Sequence, residues 1–178
     1  MTFKYLQSGL FCYPEKPEVG FRCFNLLKNP GFEAGLTGWT ASDNVVAGND
    51  LPFEGTQVAN FLTGVAFLFQ DVSLEGLCNS PLFLSFNMLG NAQPEFTVEV
   101  LWLDKERNPI GTGLSMFIPP NTTENTGSNN SRVTFFATTD RPPKEAAYAR
   151  LLFSKGFSEG ESIVFLDQVI LAPVKTGN

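Results

Sequence analysis

The sequence predicts an all-β protein, an antiparallel β-sandwich or jelly roll that follows an N-terminal arm. Its apolar runs are short, rich in Val, Phe and Leu, and bounded by Gly, Pro, Asn or Asp, a pattern typical of β-strands separated by turns. No long stretch repeats its apolar residues with the 3.6-residue period of a helix. At 178 residues the chain is long enough for one domain with its own core.

Seven strands are predicted in chain order, and their spacing is typical of a sandwich or jelly roll. They cover residues 56–62, 65–74, 81–89, 96–104, 132–139, 148–154 and 162–171.

Alternation within the fourth strand predicts one buried face. In "FTVEVLWLD" the even positions Phe96, Val98, Val100 and Trp102 share one side, and Thr97 and Glu99 share the other side. Trp39 and Trp102 are both expected in the core. The segment "DKERNP" (104–109) reads as a hairpin turn back into Ile110, and residues 119–131 read as a polar loop.

The first 23 residues are predicted to form an arm or hairpin, and residues 24–178 the sandwich. The arm segment "FKYLQSGLF" alternates well enough to add as a strand to the sheet edge of a second copy. The side chains expected to make this contact are those of Phe3, Tyr5, Leu10 and Phe11. The alternative is that the arm folds back on its own sandwich.

The three cysteines, Cys12, Cys23 and Cys78, are an odd number. They leave three arrangements open: a bridge between Cys12 and Cys23 with Cys78 free, a link to another chain, or three reduced thiols.

Composition excludes several function classes. The net charge is −6 and the 12 basic residues are scattered, so the footprint of a nucleic-acid-binding surface is missing, and anionic membranes are not expected partners. No window approaches the ~18 apolar residues of a spanning helix, so membrane insertion is not expected. The first residues show no signal-peptide pattern. The chain has no histidine, which removes the commonest general base and every Ser-His or Cys-His device.

Two carboxylates, Glu33 and Asp167, stand among apolar residues near opposite ends of the chain. On a regular strand Asp167 shares its side with Ile163, Phe165, Val169 and Leu171, and an ionised carboxylate there needs a partner. If the two ends of the chain lie side by side, the carboxylates converge, and oxygen ligands favour Ca²⁺. The alternative is that Asp167 caps a turn or meets an arginine while Glu33 is solvated.

A set of motifs over residues 24–173 resembles the galactose-binding-like jelly rolls, which include many bacterial carbohydrate-binding modules and surface-protein domains. In order, they are "NLLKNPGFEAGLTGW", "FQDVSL", "VEVLWLDKERNPIG", "RPPKEAAYARLLF" and "FLDQVILAP". The resemblance implies that Glu33 and Asp167 hold a structural calcium together with backbone carbonyls.

No residue set indicates catalysis, since there is no nucleophile elbow and no glycine-rich phosphate loop, and Cys78 has no base beside it. We therefore predict no catalytic residues and no enzymatic activity. A sugar could bind on the concave sheet through polar side chains. The candidates are Gln70, Asn87, Asn91, Glu99 and Arg150.

Two functions follow from these observations. The first is a non-catalytic structural subunit of an extracellular or spore-surface assembly, in which copies join head to tail through the arm into filaments. Its surface location rests on the resemblance, because such jelly rolls occur among surface and spore-coat proteins. The alternative is a carbohydrate-binding module that takes a polysaccharide.

Overall fold

The structure, a computed structural model, describes residues 25–77, 79–123 and 132–174, together with the backbone of 12–14 and 21–23. These residues form strands and turns, and no helix among them is long and apolar enough to cross a membrane. The strands are β1 (Cys12–Pro14), β2 (Phe21–Cys23), β3 (Thr40–Ala41), β4 (Val45–Gly48), β5 (Val58–Phe61), β6 (Ala66–Ser73), β7 (Leu82–Asn91), β8 (Phe96–Leu103), β9 (Pro109–Ile118), β10 (Val133–Thr138), β11 (Tyr148–Lys155) and β12 (Ile163–Pro173).

Two five-stranded antiparallel sheets make the sandwich. Sheet I has the strand order β10-β7-β12-β5-β4, and sheet II has the order β3-β6-β11-β8-β9. The sequence prediction of an antiparallel β-sandwich is confirmed. Apart from the consecutive pairs β4–β5 and β8–β9, neighbouring strands are distant in the chain, so the sheets are held largely by long-range pairing, for example between β11 and both β6 and β8.

The core fills the space between the sheets and is rich in phenylalanine. Phe153 of β11 meets Phe86 of β7 edge to face, with ring centroids 5.3 Å apart, and Phe61 meets Phe96 at the same distance. Trp39 and Trp102 are 8% and 2% exposed, which confirms that both belong to the core. The predicted alternation in β8 is also confirmed, since its even positions are buried and Thr97 and Glu99 are not.

Strand β12 departs from the regular alternation that the sequence suggests. Asp167 pairs with Asn87 and Ile170 pairs with Ser85, so one extra residue sits between them as a bulge, where Gln168 has φ 51°. Val169 therefore points into the main core, whereas Phe165 lies in a second cluster on the outer side of sheet I. The expectation that Asp167 shares a side with Val169 and Leu171 is wrong, because the bulge reverses the parity.

The seven predicted strands all occur, with ends shifted by a few residues. The pattern missed β3 and β4, which are only two and four residues long, and it did not include β9 among the strands, although it predicted a hairpin turn back into Ile110. Residues 104–109 do form the predicted turn, in which the Asn108 backbone N–H donates to Asp104 Oδ1 at 2.8 Å and Arg107 has φ 67°.

The backbone of the arm contains a short antiparallel pair, in which Cys12 lies opposite Cys23. The contact residues predicted for assembly (Phe3, Tyr5, Leu10 and Phe11), and also Cys78, lie outside the described residues. The boundary at residue 23, the disulfide pairing and the assembly through the arm therefore stay predictions.

Candidate functional site

The outer face of sheet II is the side of that sheet turned away from the core. Alternation along β6 places Phe67, Phe69 and Asp71 there, because Ala66, Leu68 and Val72 pack into the core. The register with the neighbouring strands adds the rest of the face. These side chains are Tyr148, Arg150, Leu152 and Ser154 of β11, Thr97, Glu99 and Leu101 of β8, and Ser115 and Phe117 of β9.

One end of this face is aromatic and apolar. Phe67 and Phe69 stack with ring centroids 6.2 Å apart and an interplanar angle of 26°. Phe67 lies in register with Ser154, Thr97 and Phe117, so one row across four strands begins and ends with a phenylalanine. Phe67 is 41% exposed and Phe117 is 59% exposed. The sheet thus presents aromatic rings to solvent rather than to the core.

The other end of the face is charged. Asp71 accepts hydrogen bonds from Arg150 Nε at 2.7 Å and Arg150 Nη2 at 3.0 Å, and from Arg107 Nη1 at 2.7 Å. Each guanidinium also covers a ring, Arg150 over Phe69 at 4.2 Å and Arg107 over Tyr148 at 4.6 Å. Burial alone would raise the pKa of Asp71, but the two arginines hold that pKa below its ordinary value.

An open pocket of about 470 Å³ adjoins this charged end. Tyr148 is part of its lining, and Lys105 and Glu75 contribute one charge of each sign. The remaining lining comes from Ser73, Leu74, Ala146 and Ala147.

The outer face of sheet I is different, because the segment 49–57 covers much of it. Val58, Leu89 and Phe165 lie on this face at 0%, 0% and 6% exposure and pack with Leu51 of the covering segment. Phe136, at the β10 edge of the same sheet, is 70% exposed. Of the two outer faces, that of sheet II is the one open along several strands.

The five sugar-binding candidates from the sequence do not share one face. Glu99 and Arg150 lie on the outer face of sheet II, on adjacent rows of neighbouring strands. Gln70 points inward from β6 and binds the Lys28 backbone, accepting from its N–H at 2.7 Å and donating to its carbonyl at 3.0 Å. Asn87 and Asn91 belong to β7 of sheet I, where Asn87 is 5% exposed and bonded to Gln168 and Thr134. We therefore correct the predicted set to Glu99 and Arg150.

The sequence analysis missed the aromatic members of the face and also Asp71. Their signal is the period of two in "AFLFQDVS", which places Phe67, Phe69 and Asp71 on one side. That pattern was available, but both sides of β6 are rich in apolar residues, so it did not show which side faces water.

The carboxylate of Asp167 binds the covering segment from within. Asp167 is fully buried, and its Oδ2 accepts from the backbone N–H groups of Phe53 at 2.7 Å and Glu54 at 3.3 Å, while Oδ1 accepts from Gln168 at 2.7 Å. Burial raises the pKa of Asp167 more than these bonds and the charge of Arg132 lower it.

Glu33 binds the same segment from an exposed position. Its carboxylate accepts from the backbone N–H groups of Thr56 and Gln57, both at 2.9 Å, and from the Thr56 hydroxyl at 2.8 Å. These bonds, led by that from Gln57, lower the pKa of Glu33. The two carboxylates thus hold one short segment, 53–57, through the backbone N–H groups of four of its five residues.

The ends of the chain also meet at this place, as the sequence analysis supposed. Leu26 N donates to the Leu171 carbonyl at 2.8 Å, and Val169 N donates to the Pro30 carbonyl at 3.0 Å. The turn that carries Glu33 is therefore fastened to β12 beside the bulge that carries Asp167.

The side-chain oxygens around residues 53–57 are of the type that a hard cation such as Ca²⁺ binds. Glu33 and Asp167 offer carboxylate oxygens and Thr56 offers a hydroxyl, although the carboxylates already accept backbone N–H groups of residues 53–57. Within 25–77, 79–123 and 132–174 no three Asp, Glu, Cys or His side chains cluster, so backbone carbonyls would have to complete the shell. A calcium held by Glu33 and Asp167 would supply charge neutralisation and a clasp, with no chemistry.

Comparison with known proteins gives likeness in structure alone, since no protein-family model and no curated protein matches the chain. TmCBM61, solved in complex with β-1,4-galactotriose, is similar with a TM-score of 0.65 at 20% identity, over 85% of this chain and 99% of that one. A family 16 carbohydrate-binding module is similar with a TM-score of 0.63 at 19% identity, over 83% of this chain and 99% of that one.

A third similar structure is the enzymatically active domain of a bacteriophage CBA120 tailspike protein. It matches with a TM-score of 0.64 at 17% identity, over 84% of this chain but only 21% of that one. At such identities the likenesses establish the fold alone: the chain has the β-sandwich fold of these carbohydrate-binding modules.

Proposed function

We propose that this chain is a non-catalytic carbohydrate-binding module that holds a polysaccharide on the outer face of sheet II. The observation that carries the proposal is the row of exposed rings on that face, beside fixed polar groups, while a segment of the chain covers the opposite face. The fold shared with two carbohydrate-binding modules supports it.

The chemistry of the face suits sugars. A pyranose ring has an apolar side of C–H groups that stacks on an aromatic ring, and the exposed Phe67 and Phe117 provide such rings. Its hydroxyls need charged or amide partners at fixed positions, and Glu99 stands one row and Arg150 two rows beyond the row of Phe67 and Phe117. Because Arg150 is already held by Asp71, little side-chain entropy would be lost when a sugar binds it.

Binding to a panel of soluble polysaccharides, measured by calorimetry and affinity gels, tests this proposal. We expect Phe67→Ala to weaken binding about tenfold, since it removes a stacking surface. The matched control is Phe136→Ala, the same substitution at an exposed phenylalanine on sheet I, which should leave binding unchanged. The proposal fails if no polysaccharide binds, or if the two variants lose affinity equally.

We also propose that a structural calcium joins Glu33 and Asp167. Support comes from the oxygen donors around residues 53–57 and from the buried carboxylate of Asp167. The ion would fasten the covering segment and so keep the outer face of sheet I closed, without contact with the proposed sugar-binding face.

The hypothesis of a filament subunit joined through Phe3, Tyr5, Leu10 and Phe11 remains a prediction, and no observation on the described residues favours it over sugar binding. We also propose an extracellular or surface location, because polysaccharide ligands are typically found outside cells. Removal of residues 1–23 followed by sizing would test assembly independently of the sugar assays.

A further inference from the structure

The charged end of the sheet II outer face holds two cations on one anion. Arg107 and Arg150 both donate to Asp71, whose side chain is only 6% exposed. The Arg107 side chain is 54% exposed and that of Arg150 is 27% exposed. The group therefore carries one positive charge in excess, within a chain whose net charge is −6.

Most of the donors of these arginines are not used by Asp71. A guanidinium has five N–H groups, and the bonds to Asp71 employ two nitrogens of Arg150 and one of Arg107. Asp71 fixes both groups, and the rings of Phe69 and Tyr148 support them from below. The spare N–H groups are thus presented by rigid, partly exposed guanidinium groups.

The surroundings limit where an added anion could lie. Glu99, one row closer to the aromatic end, would repel it. On the other side the open pocket of about 470 Å³ begins at Tyr148, beneath Arg107. In that pocket Lys105 and Glu75 carry one charge of each sign and offset one another.

We infer that the site selects a carboxylated polysaccharide, with a uronate carboxylate on Arg107 and Arg150 and a sugar ring further along the polymer on Phe67. This inference rests on the proposed sugar-binding function and adds the class of ligand to it. A guanidinium matches the planar carboxylate with two parallel N–H donors, and such charge-assisted bonds are stronger than those to hydroxyls.

The test compares each uronate polymer with its own carboxyl-reduced form, in which the linkages are retained and the acid becomes an alcohol. Polygalacturonate, glucuronoxylan and alginate are titrated into the full chain in both forms. We expect at least one acidic polymer to bind about tenfold or more tightly than its reduced form. The difference should shrink as salt is raised, because the arginines are partly exposed.

Variants test whether the arginines cause the preference for the acidic polymer. Arg107→Gln should weaken binding of the acidic polymer about tenfold and leave the reduced polymer unchanged. Arg107→Lys keeps the positive charge but lacks the two parallel N–H donors of a guanidinium, so an intermediate loss of affinity is expected. The control is Arg141→Gln, which removes an exposed arginine from the loop between β10 and β11 and should have no effect. Circular dichroism and thermal melts check that each variant is folded.

Contrary outcomes separate the two claims. If acidic and reduced polymers bind alike and Phe67→Ala weakens both, the uronate inference is wrong and the sugar-binding proposal stands. If dextran sulfate binds as well as the uronates and Arg141→Gln weakens binding as much as Arg107→Gln, the attraction is unspecific and the inference is wrong. If no polymer binds, both claims are wrong.

Discussion

At the scale of single residues, Glu33 and Asp167 have the same role in two different environments, one exposed and one buried. Both bind N–H groups of residues 53–57, yet the pKa of Glu33 is lowered and that of Asp167 is raised. The cause is burial, since Glu33 is exposed to water and Asp167 is not. Sequence reasoning identified the pair but assigned no partner in the 53–57 segment.

Gly55 is expected to be required beside Glu33. It has φ +73°, and an added Cβ would lie 2.3 Å from Glu33 Oε1, so Gly55→Ala must displace the carboxylate from Thr56 and Gln57. The matched control is Gly35→Ala, at φ +64° with nothing within 4 Å. Both should lose about 1–2 kcal/mol from backbone strain, and Gly55→Ala about 1 kcal/mol more from the lost hydrogen bonds. Urea denaturation measures both, and equal losses would contradict the prediction.

Asp167 gives a pH prediction with a definite sign. Because its folded-state pKa is raised above 3.8, the folded chain holds this proton more tightly than the unfolded chain does. The contribution of Asp167 to stability is then greatest below pH 3.8 and declines as pH rises through the folded-state pKa. In chelator, the unfolding free energy of the wild type minus that of Asp167→Asn should fall over this window. A difference that grows with pH would refute the assignment.

At the scale of elements, β9 explains why one strand escaped sequence analysis. Its segment "PIGTGLSMFI" contains two glycines after a proline, which is typical of a turn, and its first four residues are exposed. The structure shows a packing reason for one of them, since a Cβ at Gly113 would lie 2.3 Å from Trp102 Cζ2. The glycine marks the place where an edge strand crosses the buried indole.

Gly113 and Gly111 therefore form a matched pair. Gly113→Ala should lose about 1–3 kcal/mol, because the indole and the strand must move apart. At Gly111 the nearest atom to an added Cβ is Trp102 Cδ1 at 3.6 Å, an ordinary contact, so Gly111→Ala should change stability by less than about 0.5 kcal/mol. Chemical denaturation and the near-ultraviolet circular dichroism of Trp102 report the result. A loss at Gly111 as large as that at Gly113 would count against this packing.

At the scale of the whole molecule, the two ends of the chain meet where the carboxylates hold residues 53–57. Leu26 and Pro30 bond to β12, and Asp167 of β12 bonds to the segment that closes sheet I. One outer face is thereby covered and the other stays open. A cation at the carboxylates would act on the stability of the entire sandwich, since it joins three distant parts of the chain.

Calcium should raise the melting temperature of the wild-type chain. At a free concentration about 100 times its dissociation constant, the gain is about 2.7 kcal/mol, or roughly 5–10 °C for a domain of this size. Chelator should remove the gain, and Asp167→Asn and Glu33→Gln should not show it. Magnesium at equal concentration serves as the control. A wild-type melting temperature that is the same in calcium and in chelator would contradict the proposed structural calcium.

The sequence by itself determined the strands and the buried tryptophans, because period-two alternation and turn residues act over a few positions. Only the tertiary structure decided which face stays open. Lys155, at the end of β11, is 1% exposed because its ammonium donates to the carbonyls of Leu62 and Gly64, and Gln70 is buried by its bonds to Lys28. Whether a polar side chain is exposed to water depends on partners far away in the chain, and the local sequence pattern does not reveal those partners.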